Sequence, residues 1–539
     1  MSWESPWRRQ YAILGVAVVL VVSACTGQTT DTSTTAAEPP STTSGGNEPS
    51  TTAQTTTPDP EASGGVLRIG QTADVTTLNP LGVLSASESS LHNQLYNTLV
   101  QVNQDQQPEP ELATAWEFAD DGLSLTLTLR EDVVFHSGRP FTSADVAFTV
   151  DWAKDPANGA LIQPLAARVV AVETPDEVTA SLQFDSPFPA ALDLLDLLFV
   201  IDEETAGDGF DTTAVGTGPF MLEERVPGDR ITLVRNEQYW NGPPALDGVE
   251  IVVLPNEQAQ VLQLETGDIH YVQGLAFRDI DLLGGNEDVA TGVAVTGAAV
   301  MDVIFNVREQ PLDDVAVRRA LDMAVDRERI AQILYGDAGE GWCLPFPPGS
   351  IAYVEELAAG CTYDLEGAQA LLAESGYEDG LAVEILTSTP AGEGIAPMAE
   401  IIQADFASIG VDATIRDVEL AAYQDSVVTN RDFQVATHSF GRAQKDPSSL
   451  LEATVVFRPE DNASGFESDE YADLIIQAGS EPDPEERARM YQEVAQIIVD
   501  EKFVLPVAPI PVFWAGSANV SGFEWTRDGF LILENATLG

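Results

Sequence analysis

The chain has 539 residues and sets 25 Lys+Arg against 86 Asp+Glu, a formal net charge of -61. That balance argues against a DNA or RNA partner, because such binding rests on Lys and Arg neutralising phosphates. Hydrophobic residues make up 44%, enough to build sizeable buried cores, and the length suggests about three domains. Only three basic residues are lysines (Lys154, Lys445 and Lys502), an Arg bias that fits either a salt-rich habitat or a GC-rich genome. Three cysteines are too few for a disulfide framework.

Arg8 and Arg9 precede an apolar run from Tyr11 to Val22. The run is too short to span a bilayer and suits a secretory leader. It ends in Val22-Ser23-Ala24-Cys25, which resembles the lipobox of bacterial lipoproteins. That resemblance implies cleavage after residue 24 and a lipid on Cys25. From Thr26 to Gly65 the chain lacks large apolar residues, so residues 25–64 are expected to be a disordered tether. The folded part is then expected outside the membrane but close to it. The paired arginines leave Sec and twin-arginine export both open.

Beyond the tether, Val66–Ile69 reads as a strand, and Leu91, Leu95 and Leu99 read as one helix face. Leu123, Leu125, Leu127 and Leu129 alternate with polar residues as in a half-buried strand. Thr142 and Asp145 form a capping-box pattern before a helix reaching Trp152. Val178 to Phe184 alternates again. Gly216-Thr217-Gly218-Pro219 is a turn, followed by strands at Ile231–Val234 and Val249–Leu254. Glu257–Thr266 reads as a helix closed by Gly267. A strand is expected at Val300–Phe305, and helices around 317–324 and 326–335. A helix from Asp364 to Gly376 and one carrying Ile401, Ile402 and Phe406 follow. A strand at Val411–Val418 and a late helix at Arg487–Val499 complete an α/β pattern. With no second long apolar run, the body is expected to be soluble.

Several stretches together carry a family resemblance. They include Leu78-Asn79-Pro80-Leu81, Leu95-Tyr96-Asn97-Thr98-Leu99-Val100 and Glu111-Leu112-Ala113-Thr114-Ala115-Trp116. The most specific block runs from Leu129-Arg130-Glu131-Asp132-Val133 through His136-Ser137-Gly138-Arg139-Pro140-Phe141-Thr142 to Ala144-Asp145-Val146. Gly216-Thr217-Gly218-Pro219-Phe220, Leu264-Glu265-Thr266-Gly267-Asp268-Ile269, Asp314-Val315-Ala316-Val317-Arg318-Arg319-Ala320-Leu321 and Asp446-Pro447 continue it in order. The chain from 64 to 539 resembles the extracellular solute-binding proteins of family 5, of the dipeptide-, oligopeptide- and nickel-binding type.

The resemblance implies a two-lobed α/β clamshell of the periplasmic-binding type with an additional inserted domain. Lobe I would hold 66–97, 214–298 and 507–539, the inserted domain 98–213, and lobe III 299–506. It implies no enzyme activity and no cofactor. It implies a monomer that captures a small solute and delivers it to ABC permease subunits. A sensory binding protein on the same fold, or a metal or haem carrier, are the alternatives.

Peptide-binding members grip the α-amino group with an Asp shortly before the acid-Pro pair. Here that position is Ala443, and residues 438–445 contain no acid. Arg442 beside it suits a carboxylate or phosphate instead. Asn79, Tyr96, His270, Tyr271, His438 and Phe440 are the other expected solute contacts. His136, inside the most specific block, is expected to be structural. The four histidines show no metal-ligand spacing, and no Gly-x-Ser-x-Gly elbow is present. Export permits oxidation, so Cys343 and Cys361 are expected to form a disulfide.

Overall fold

The apolar run at 300–305 belongs to a much longer strand, Val289–Phe305, paired antiparallel with Val504–Ser517. Seventeen residues at about 3.3 Å each span roughly 55 Å, far beyond the usual strand. The register slips between Val293 and Val295, Thr296 and Val300, and Met301 and Asp302. Pro506, Pro509 and Pro511 of the partner strand sit opposite these irregular stretches. Proline cannot donate to a ladder, so it is tolerated at bulges. Gly297, at the largest slip, has φ +89°, and a Cβ there would meet the Trp342 ring at 2.8 Å.

These two strands stand in the middle of one ten-stranded sheet. On one side the order is Tyr271–Gln273, Val66–Gln71, Gly248–Val253, Arg230–Arg235 and Phe220–Val226. On the other side it is Val435–Gly441, Leu381–Thr387 and Val411–Asp417. A separate antiparallel sheet holds Ala113–Phe118, Ser124–Leu129, Thr179–Phe184 and Val169–Asp176 in that spatial order.

The computed structural model describes residues 64–82, 86–206, 210, 213–392 and 394–539. All of them fall in one compact unit. The expectations for the leader and for Cys25 lie outside the described residues. No helix among the described residues is long and apolar enough to cross a membrane.

Packing explains the apolar patterns. Leu125, Leu127 and Leu129 are buried while Thr126 and Thr128 are exposed. At 300–305, the end of the strand Val289–Phe305, both faces are covered. Val300 and Ile304 join one core cluster, and Met301, Val303 and Phe305 join another. A strand buried on both faces reads as a continuous apolar run. The capping box is present, with Thr142 N donating to the Asp145 carboxylate at 3.0 Å, and the helix runs Ser143–Lys154. Glu257–Thr266 is helical to both expected ends, closed by left-handed Gly267. The first helix is shorter than its leucine spacing suggests. It covers Ala86–Leu95, and Leu99 is buried from the following loop.

The turn at 216–219 fits because two of its residues lack a Cβ. Added carbons at Gly216 and Gly218 would meet the Leu95 backbone at 2.0 and 2.5 Å. His136 is structural here, its ring engaging the Gly218 carbonyl at 3.0 Å and the Gly216 N–H at 3.3 Å. Gly218→Ala is therefore expected to lower stability by about 1–3 kcal/mol through overpacking, measured as a reduced urea midpoint.

Candidate functional site at the sheet junction

The strand Val435–Gly441 leads into a tight turn and then the helix Pro447–Ala453. Asp446 caps that helix, accepting from Ser448 N at 3.0 Å and Ser448 Oγ at 2.7 Å. Lys445 N closes the turn on the Arg442 carbonyl at 3.0 Å. Arg442 takes φ +71° to allow this, a conformation that costs a non-glycine residue about 1–3 kcal/mol. Gln106, across the junction, is also held at positive φ, +62°.

A buried ion network fixes this turn against two distant segments. Lys445 Nζ bridges Asp196 at 3.1 Å and Asp528 at 2.5 Å. Arg527 contacts Asp193 at 2.5 Å and Asp196 at 2.8 Å, and donates to the Gln444 carbonyl at 3.0 Å. Asp193 also accepts from Asp446 N at 2.6 Å and Ser449 Oγ at 3.1 Å. Gln106 Nε2 donates to Gln444 Oε1 at 2.8 Å, and Gln444 Nε2 to the Thr296 carbonyl at 2.9 Å. The network thus reaches the bulge of the long strand. Arg527 is only 2% exposed. Burial opposes ionisation of Asp193, but Arg527 and Lys445 outweigh it and hold the carboxyl below its ordinary value.

Arg442 differs from the other buried guanidiniums. Arg318, Arg327, Arg487 and Arg527 all pair with carboxylates. Arg442 is half-buried, and its guanidinium makes no hydrogen bond or ion pair among the described residues. Burial lowers its pKa, and Asp528 and Asp193 act on it only from a distance. Lys445, at the other end of the same turn, lines a cavity of about 210 Å³ together with Gln106, Asp193, Arg487, Arg527 and Ile351. Ala443, where peptide-binding members carry an acid, is buried in an apolar cluster with Phe440.

The other expected contacts are dispersed. His438 Nδ1 meets Asp302 at 3.0 Å on the neighbouring strand. Asp302 is fully buried, its second oxygen has no partner, and burial raises its pKa although His438 pulls it down. Phe440 and Tyr271 were expected to face the solute; the structure buries both. Phe440 packs edge-on against Phe457, and Tyr271 lies among Trp514, Phe523 and Trp525. His270 Nδ1 accepts from Arg68 N at 3.0 Å and ties two strands together. Asn79 Oδ1 accepts from Leu81 N at 3.1 Å and shapes its own turn. Tyr96 is buried, donates to the Leu78 carbonyl at 3.2 Å, and lines a small cavity with Glu111 and Glu534. Burial raises the Glu111 carboxyl to about 7.

The structure brings the expected pair Cys343 and Cys361 together. They are free thiols within hydrogen-bonding reach of each other. Lys502 Nζ lies 3.8 Å from Cys361 Sγ, a cation that favours the thiolate form.

Sequence reasoning passed over Asp193, Asp196, Arg527, Asp528, Gln106 and Gln444. It noted Lys445 only as one of three lysines, yet a rare lysine beside Asp446-Pro447 was a usable signal.

One sheet shared by three core clusters, with a separate four-stranded sheet and a charged cavity beside the long strands, fits a two-lobed binding protein. The family model "Bacterial extracellular solute-binding proteins, family 5 Middle" matches residues 107–457, and this chain belongs to that family. It is 29% identical over 500 residues to Heme-binding protein A of Haemophilus influenzae, covering 84% of this chain and 90% of the relative. It is 27% identical over 488 residues to Glutathione-binding protein GsiB of Salmonella typhimurium, covering 86% and 93%. The solved structure of the periplasmic binding protein DppA from Helicobacter pylori, in complex with the peptide STSA, superposes with a TM-score of 0.71. It is 25% identical and covers 88% of this chain and 99% of that one. The chain is therefore an extracytoplasmic solute-binding component for an ABC importer and not an enzyme.

Two outcomes test the network. Lys445→Met leaves Asp196 and Asp528 short of a cation and is expected to cost about 3–5 kcal/mol, read by chemical denaturation. The lowered Asp193 carboxyl favours folding above the ordinary aspartate pKa of about 3.9, and that gain is lost as pH falls through the lowered value. The melting midpoint should therefore hold from about pH 7 to 5 and drop below about pH 4, less steeply in Asp193→Asn.

Proposed function

We propose that this chain is a lipid-anchored receptor whose cargo carries a carboxylate or phosphate, and that Arg442 grips that group. The observation that carries this reading is the unpaired Arg442 guanidinium, in the turn whose Lys445 lines the junction cavity, with Ala443 in place of an amine-gripping acid. A charge-assisted bond at a half-buried guanidinium contributes about 1.5–3 kcal/mol. Every nearby carboxylate (Asp193, Asp196 and Asp528) is already engaged by Arg527 or Lys445, which leaves none free for a peptide amine. The relatives named for glutathione and haem fit this reading, since both molecules carry paired carboxylates. His270 and His438 are held by Arg68 and Asp302, so the metal-carrier alternative gains no shared ligand pair from them.

The proposed lobes are 66–97, 214–298 and 507–539 against 299–506, with 98–213 inserted. Two features support this division. The four-stranded sheet falls inside 98–213, and the two long strands cross the proposed boundaries. The lipid would sit on Cys25, after the apolar leader and before the tether.

Calorimetric titration of the chain with glutathione and with a neutral dipeptide tests the cargo class. Glutathione should bind more tightly, and Arg442→Gln should weaken it by roughly ten- to hundred-fold with the melting midpoint unchanged. Equal binding by wild type and variant would sink the reading. Cys25→Ala should release the protein into the medium of the producing cells and abolish labelling by radioactive palmitate.

A further inference from the structure

The two cysteines of the folded region meet in a small, charged environment. Cys343 lies in the loop after the helix Arg327–Tyr335, and Cys361 just past the short helix Glu355–Ala358. Both are partly exposed, and each thiol is within hydrogen-bonding reach of the other. Lys502 Nζ is 3.8 Å from Cys361 Sγ. The same ammonium pairs with Asp322 at 2.6 Å, and Arg327 pairs with that carboxylate at 2.5 Å. Two buried cations therefore share one carboxylate, leaving one positive charge beside Cys361. A buried charge must be balanced, and a thiolate on Cys361 balances it.

We infer that Cys361 is a nucleophilic thiolate and Cys343 its resolving partner, together forming a reversible thiol–disulfide exchange site for small-molecule disulfides. The direction of the acidity agrees. The hydrogen bond from Cys343 lowers the Cys361 thiol to about 6, against burial and with help from Arg327 and Lys502, while Cys343 is raised. A thiolate at neutral pH is the attacking species in exchange.

The steps balance. The Cys361 thiolate attacks one sulfur of the small disulfide, forming a mixed disulfide and expelling the other half as a thiolate. Cys343 gives its proton to that thiolate and attacks Cys361 Sγ, forming the internal bond and expelling the second half, which takes a proton from water. From its thiolate–thiol form the protein loses two electrons and the Cys343 proton, the second proton comes from water, and the small disulfide becomes two thiols.

The loop so closed contains Gly349, Ser350 and Ile351, which line the junction cavity beside Lys445 and Arg527. Cys343 itself lines a neighbouring cavity of about 270 Å³ walled by Trp342, Phe346 and Tyr353. Oxidation would close the loop at the rim of the junction cavity and remove the thiolate beside Lys502 at the end of the helix Pro484–Glu501.

The test uses the full chain carrying Cys25→Ser, so that only this pair is read. Reduced protein is freed of reductant and given oxidised glutathione as the probe at neutral pH. Iodoacetamide traps are then followed by intact mass and peptide mapping. The expected result is loss of both alkylatable thiols and a mass lower by two hydrogens, with the 343 and 361 peptides crosslinked. Cys343→Ser should stop at a glutathione adduct on Cys361, and Cys361→Ser should react at least about ten-fold more slowly. Lys502→Gln should slow the Cys361 reaction while keeping the product. Two persistent free thiols in the folded wild type, or faster reaction at Cys343 than at Cys361, would overturn the inference. Melting midpoints of the serine variants, measured alongside, separate slow exchange from misfolding.

Discussion

The junction depends on charges that have been taken out of water and must find partners there. Arg527 and Lys445 are buried among Asp193, Asp196 and Asp528, so the segments at 193–196, 445 and 527–528, far apart in the chain, meet here. Removing an ion from water costs several kcal/mol unless geometry and hydrogen bonds offset it. Here the offset comes from backbone donors at Asp446 and acceptors at Gln444, which places the turn at 442–446 as firmly as the ions themselves. Because that turn is fixed, Arg442 is held in a left-handed conformation with its guanidinium unpaired. Strain at one residue persists because the surrounding contacts over-determine it.

The sheet supplies the second constraint. Val289–Phe305 and Val504–Ser517 run through the middle of the ten-stranded sheet, so its two sides are joined by continuous backbone ladders. The slips at 293–302 and the prolines opposite them interrupt that ladder beside the ion network. A ligand shifts a two-lobed protein only by the difference in its affinity for the two arrangements. In this chain that difference must act against, or together with, the buried ions, since Gln444 bonds both to Gln106 and to the bulge at Thr296.

Local chemistry made much of the fold readable. The capping box at Thr142, the helix Glu257–Thr266 with its Gly267 stop, and the alternation at 125–129 follow from contacts within a few residues. The extent of Val289–Phe305 was not readable, because Gly292, Gly297 and scattered alanines weaken its apolar pattern and only cross-strand pairing sustains it. Val504–Ser517 hid behind three prolines that bulges accommodate. Phe440 and Tyr271 looked like pocket aromatics because aromatic type does not reveal which face of a strand is covered.

By itself the sequence determined the alternating α/β elements, the family-specific order of motifs, the excess of acid and the absence of an acid at 443. Each is a property of neighbouring residues or of composition. Tertiary structure alone decided which charges meet. Asp193 lies far from both Lys445 and Arg527 in the chain, and nothing local distinguishes a solvated Asp from one that neutralises a buried guanidinium. It also decided that Arg442 stands unpaired and that Cys361 lies beside Lys502. The reason is that electrostatics and burial depend on distance in space and on what covers a group, and both are set only when the sheet and its core clusters have closed.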